Sequence, residues 1–328
     1  MAPHPLPPLP RKRGEGKHRS VVRGSEGRDE VQGEGCLEDG LTLAPETKHE
    51  RTEKQPPLKW AGGKRWLAPK LRATWARHDD RRFVEPFCGG LAVTLGLNPD
   101  RALLNDINAH VVNFYRWLQR GLTIGIPMRN EAELYYAHRA AFNDLITSGQ
   151  EGSQRAAELF YYLNRTGYNG LCRFNRSGQY NVPFGRYKTI NYRTDFTEYA
   201  PALKHWVFTA GDFIQLSLRD SDFIYADPPY DVEFVNYSKD GFGWPDQVRL
   251  ASWLAEHPGP VLISNQATER IVKLYIQSGF DIRFTDAPRR ISSSGDRTPA
   301  KEVLAARNLW KAVPGEDQCL GDGFAVSL

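Results

Sequence analysis

The tetrapeptide Asp227-Pro228-Pro229-Tyr230 gathers several groups capable of chemistry. It follows Asp222-Phe223-Ile224-Tyr225-Ala226, a run that grows apolar toward its end and reads as a buried strand. Two prolines must end that strand, because proline has no N–H and a fixed φ. They also hold the neighbouring backbone carbonyl rigid. The Asp227 carboxylate and such a carbonyl are two converging acceptors, which suits a planar –NH2 group with its two donors. Tyr230 adds a face on which an aromatic ring can stack. An amine conjugated with an aromatic ring is a poor nucleophile. Drawing both N–H groups out of the ring plane favours the tetrahedral geometry that attack requires, and such positioning supplies much of the rate of a group transfer.

Two further segments could complete a site. Phe83-Val84-Glu85-Pro86-Phe87 runs into Cys88-Gly89-Gly90, where glycine permits a sharp turn and close approach of backbone to a ligand. About 20 residues later a second strand ends at Asp106, the spacing at which dinucleotide folds place the acid that holds a ribose. The full GxGxxG pattern is missing, so the glycines alone are equally an ordinary turn. In "KWAGGKRW", residues 59–66, Arg65 follows Lys64 where a phosphate loop needs Ser or Thr. What remains is Trp60, able to cover an aromatic ligand, and Lys64, able to meet a carboxylate.

These residues need elements to position them. "RRFVEPF", "RALLND", "HWVFTA", "DFIYA" and "PVLISNQ" read as strands. "NAHVVNFYRWLQRGL" (with Gly121 as its stop), "NEAELYYAHRAAFNDLI", "SQRAAELFYYLNRTG" and "TERIVKLYIQSG" read as helices. The alternation predicts an α/β fold with a mostly parallel sheet, whose ligands lie beyond the carboxyl ends of the strands. Residues 171–193 mix polar and aromatic side chains around a predicted hairpin turn at Ser177-Gly178, an insertion between sheet elements.

Composition bounds the partners. The chain has 328 residues, 40% hydrophobic and 25% charged, with a net charge of +4 that permits a nucleic-acid partner without requiring one. No apolar run is long enough to span a membrane, and the start lacks a signal-peptide pattern, so a cytoplasmic protein is expected. Four scattered cysteines, Cys36, Cys88, Cys172 and Cys319, suggest neither a zinc site nor a disulfide framework, and no metal is expected. Residues 1–55 contain no aromatic residue and are rich in Pro, Gly and charge, which reads as a disordered extension.

Taken in order, "KWAGGK", "FVEPFCGG", "LLNDIN", "GDF" and "DPPY" resemble the Dam-type, adenine-specific (N6) DNA methyltransferases, over roughly residues 57–308. The likeness runs through "YYLNRTGYNGLCRFNRSGQYNVPFGRYK" and, more weakly, "RRISSSGDRTPAKEVLAA". The resemblance implies a Rossmann-like, S-adenosylmethionine-dependent methyltransferase sheet. Residues 56–112 and 200–312 would form it, 113–199 would be an inserted, mainly helical target-recognition domain with a β-hairpin, and 313–328 a tail. It implies S-adenosylmethionine as cofactor, bound by Trp60, Lys64, Glu85, Gly89, Asp106 (on the ribose), Asp212 and Phe213 (near the adenine) and Asp227. Catalysis would fall to Asp227, Pro228, Pro229 and Tyr230. Leu91 stands where family members often carry a second glycine, so the path of residues 88–92 is open.

A base inside a duplex must be flipped out to reach such a pocket. Arg165, Arg173, Arg176, Arg186, Lys188 and Arg193 are available for phosphates or bases, although Arg176 and Arg193 read better as surface residues. By the resemblance, Lys59 and Arg173 would read guanines, Tyr168 and Asn169 would manage the flipped site, and Leu171 and Pro183 would meet the thymine. Arg186 would join them on double-stranded DNA. The expected target is GATC, bound by a monomer from a bacterium or phage. An RNA methyltransferase and an inactive DNA-binding relative are the alternatives.

Overall fold

A computed structural model describes residues 54–231, 241–288 and 300–309. The expected extension up to residue 53, the tail from 313, and most of "RRISSSGDRTPA" lie outside the described residues.

Seven strands form one sheet in the order β3-β2-β1-β4-β5-β7-β6. They are β1 (Phe83–Glu85), β2 (Ala102–Asp106), β3 (Trp206–Ala210), β4 (Phe223–Ala226), β5 (Val261–Gln266), β6 (Asp281–Ala287) and β7 (Ala300–Arg307). The first five are parallel, and β7 runs antiparallel to both β5 and β6. The predicted α/β class and mostly parallel sheet hold. Chain order reverses between β1 and β4, so the crevice beyond their carboxyl ends is where an open α/β sheet binds ligands.

Strand alternation sorts the core into two faces. Phe83, Leu104, Tyr225, Leu262 and Leu304 pack on one side, with α1 (Ala68–Ala76), α2 (Ala92–Leu97) and α3 (Ala109–Gln119). Val84, Leu103, Ile224, Ile263 and Val303 pack on the other, beneath α7 (Trp244–Ala255) and α8 (Glu269–Gln277). Asn108 caps α3 by accepting from the His110 and Val111 N–H groups. Gly121, at φ 79°, ends it where the sequence put the stop.

Between α3 and β3 lie α4 (Ala132–Thr147), α5 (Gln154–Thr166), an irregular stretch and the short α6 (Ala200–Leu203). This insertion shares the first face's core: Tyr135, Phe142, Tyr161 and Tyr180 belong to the same buried cluster as Phe114 of α3. The expected boundary at 112/113 falls inside α3, which is one continuous helix. Around Ser177-Gly178 the chain turns tightly, Asn175 N–H bonding the Gln179 carbonyl at 2.8 Å, with a single bridge between Phe174 and Tyr180. Among the described residues no helix is long and apolar enough to cross a membrane.

Candidate active site

A cavity of about 400 Å³ opens at the β1/β4 switch point. It brings together residues that the sequence scatters over 170 positions. Trp60, Lys64, Glu85, Gly89, Asp106, Asp227, Pro228, Pro229 and Tyr230 all line it. A larger cleft, about 1130 Å³, lies at the amino ends of β2 and β3 and holds none of the expected site residues.

The glycine turn is built by contact. A Cβ on Gly89 would fall 2.5 Å from Trp60 Nε1, and one on Gly90 would fall 2.7 Å from Trp60 Cβ. Trp60 therefore closes over a turn that only glycine can form. The Gly89 N–H donates to Asp106 Oδ2 and the Asn108 N–H to Oδ1, each at 2.9 Å, so the Asp106 carboxylate is fixed toward the cavity. Leu91 adopts φ 57°, the left-handed conformation a glycine would supply, and buries its side chain in the core. The turn thus survives the substitution at the cost of local backbone strain.

Beyond β4, the Lys64 ammonium lies 3.2 Å from Asp227 Oδ1, 3.4 Å from Glu302 Oε1 and 3.3 Å from the Gly62 carbonyl. It also donates to the Tyr230 hydroxyl and lies 4.4 Å from that ring's centre. Ser264 Oγ donates to Asp227 Oδ1 at 2.9 Å. The Pro229 carbonyl accepts from Gln247 Nε2 at 2.8 Å. Arg270 pairs with Asp231 just after Tyr230 and closes the segment.

Acid accumulates here. Burial pushes the Glu85 carboxyl up to about 8, against the hydrogen bond from Thr94, and the nearby Asp227 and Asp106 charges push the same way. Burial raises Asp227 to about 6, opposed by Lys64 and Ser264. Asp106 is raised by burial too, opposed by its two backbone N–H bonds. A cation bound among these three would relieve the crowding.

Asp212 and Phe213 do not line the cavity. Asp212 caps a short turn through the Ile214 N–H and pairs with Arg249 at 2.7 Å. Phe213 sits behind the wall, 5.5 Å from the ring of Phe87, which does line it. The sequence reading missed Ile107, which lines the cavity and is 76% exposed. An apolar residue directly after a strand-end acid was its signal. It also missed Ser264, Gln247 and Glu302. Glu302 comes from the antiparallel β7, where no local pattern points to the site, and its Oε2 is buried without a hydrogen-bond partner among the described residues.

The expected DNA-binding residues gather on one surface. Lys59 pairs its backbone with the Asn164 amide at 2.8 Å in both directions, and its ammonium lies 3.9 Å from the Tyr187 ring centre. Gly170 packs so tightly on it that a Cβ would fall 2.6 Å from Lys59 Cβ. Tyr168 is 50% exposed, its N–H on the Pro183 carbonyl, and the Leu171 N–H returns to the Tyr168 carbonyl. Asn169 (φ 52°) and Arg186 (φ 47°) are both left-handed. Arg173 lays Nε and Nη2 on Asn181. Asn108 Nδ2 meets Cys172 Sγ at 3.1 Å and joins this surface to the Asp106 end of the cavity.

The family model described as "D12 class N6 adenine-specific DNA methyltransferase" matches residues 60–288, which span every cavity-lining segment. The chain belongs to that class. It is an enzyme that methylates adenine in DNA. The DNA adenine methylase of Escherichia coli is 34% identical over 268 residues, covering 76% of this chain and 93% of the relative. The Escherichia coli retron Ec67 DNA adenine methylase is 34% identical over 263 residues, covering 76% and 90%. A DNA N-6-adenine-methyltransferase of Escherichia phage P1 is 35% identical over 292 residues; these cover 83% of this chain and only 37% of that longer protein. In this D12-class enzyme the glycine turn, Asp106 and the Asp-Pro-Pro-Tyr segment meet at one cavity.

Proposed function

We propose that this enzyme binds S-adenosylmethionine in the β1/β4 cavity and methylates N6 of an adenine flipped out of a GATC site in duplex DNA. One observation carries this reading: Asp227, Pro228, Pro229 and Tyr230 line one acidic cavity together with Glu85 and Asp106. The residues fit the cofactor. Asp106 is oriented to accept from a ribose, Ile107 offers apolar cover for an adenine, and Glu85 and Asp227 offset a cationic centre. Bound S-adenosylmethionine supplies an activated methyl group on a sulfonium.

The chain supplies the rest. Asp227 and the Pro228 carbonyl each accept one N–H of the target amine and set its lone pair for attack. Tyr230 stacks on the base. The proton that the amine loses can pass to the Asp227 carboxylate. Lys64 balances Asp227 and Glu302.

Residues 113–199 act as the target-recognition region. Arg173 uses its Nε/Nη2 side on Asn181, which leaves the Nη1/Nη2 end as a ready fork for a guanine edge. Lys59 reads a second guanine, Leu171 and Pro183 meet a thymine methyl, and Tyr168 and Asn169 fill the gap left by the flipped base, with Arg186 on phosphate. The test uses labelled S-adenosylmethionine with matched duplexes that contain or lack GATC, and with RNA. Label confined to the GATC duplex is expected. Equal label on both duplexes removes the GATC assignment, and label on RNA alone removes the DNA substrate.

A further inference from the structure

We propose that Gln247 is a positioning residue for methyl transfer, and that the adjacent β5 residues Ser264 and Asn265 grip the two ends of Asp227-Pro228-Pro229 from opposite faces of the sheet. The inference rests on the reading that Asp227 and the Pro228 carbonyl hold the target amine.

The parallel register sets Ala226 against Ile263, so Ser264 comes level with Asp227. Side chains alternate across a strand, so Ser264 and Asn265 project to opposite faces. On one face Ser264 Oγ donates to Asp227 and meets the Tyr225 hydroxyl at 2.8 Å. On the other, Asn265 Nδ2 donates to Gln247 Oε1 at 3.1 Å and to the Tyr275 hydroxyl at 3.0 Å. Its Oδ1 accepts from the Gln266 N–H at 2.8 Å. Every hydrogen-bonding atom of that amide is thereby committed.

The consequence falls on Gln247. Its oxygen is held by Asn265, so its Nε2 must face the Pro229 carbonyl. A flipped amide would set oxygen against oxygen. Gln247, Asn265 and Tyr275 are all buried, so water is not at hand to replace a lost partner. The two proline rings fix φ at Pro228 and Pro229. With Asp227 anchored on one side and the Pro229 carbonyl on the other, the Pro228 carbonyl between them is restrained. A misplacement of this kind far from the reacting atoms slows catalysis without removing any group that touches substrate.

Two variants test it, Gln247→Leu and Gln247→Glu, by single-turnover methyl transfer. Gln247→Leu should cut the rate roughly 10- to 100-fold, with the affinities for S-adenosylmethionine and DNA within about twofold of wild type. Gln247→Glu adds a readout that a merely structural role would not move. Its protonated carboxyl donates to the Pro229 carbonyl as the amide does, and its ionised form repels it. The ratio of variant to wild-type rate should therefore climb as pH falls from about 8.5 to about 6. A flat ratio near one overturns the proposal. So does a rate loss matched by equal loss of cofactor affinity. If the leucine variant does not fold, the glutamate pH profile decides alone. Transfer that persists in Asp227→Ala would sink the underlying reading; silent Gln247 variants beside an inactive Asp227→Ala sink only this inference.

Discussion

At the scale of single residues, the site is a set of acids held close to neutrality by burial and released by contact with cations. Asp227 must be ionised to accept from an amine. With its carboxyl raised to about 6, kcat/KM should rise as pH passes through that value and level off above it, a profile readable from initial rates. Glu85 makes the complementary prediction for stability. Its carboxyl is raised from 4.5 to about 8 in the folded chain, so the folded state holds the extra proton. Its contribution to stability is fully present below about 4.5 and is lost as pH climbs toward 8. Thermal melts of the cofactor-free protein should show Glu85→Gln losing less stability than wild type over that window. A wild-type loss equal to the variant's would show that Glu85 does not titrate there. Arg173→Ala should relax discrimination at one guanine by about 1–3 kcal/mol, measured as the ratio of kcat/KM on matched and substituted duplexes.

At the scale of elements, the turn after β1 is the part that admits least change. Gly89→Ala would force a Cβ into Trp60 at φ 40° and should weaken S-adenosylmethionine binding at least roughly tenfold by calorimetric titration. Leu91→Gly should do the reverse of what its strained φ suggests. The glycine relieves about 1 kcal/mol of strain but removes a fully buried leucine whose loss costs about 2–5 kcal/mol. The protein should lose stability in a denaturant melt while keeping its cofactor affinity. This turn also marks how far the sequence was legible. Strand ends at Asp106, Ala226 and Gln266 could be read because apolar runs meet acids, prolines or amides there. The Gly121 stop could be read because a helix must end on a residue tolerant of positive φ. Leu91 could not, since side-chain identity alone does not say that a leucine accepts a left-handed backbone in exchange for burial. Glu302 and Gln247 were silent for another reason: they reach the site through antiparallel pairing and helix packing, which leave no signature in local spacing.

At the scale of the whole molecule, one sheet serves two surfaces. Its switch point carries the cavity, and the insertion after α3 carries the exposed Tyr168, Leu171 and Arg173, joined to the cavity by the Asn108–Cys172 contact. The insertion shares its core with α3, so its exposed surface is anchored on the sheet. Composition marked residues 171–193 and the resemblance extended the insertion to 113–199, but shared burial is a property of packing and could not be read from either. The central claim is that Asp227 presents an adenine amine for methylation. It is tested by incubating wild type and Asp227→Ala with S-adenosylmethionine and a GATC duplex, then digesting the DNA to nucleosides for mass spectrometry. The expected result is N6-methylated deoxyadenosine from wild type and none from the variant; the same product from both, or a methyl group on another base, would contradict it.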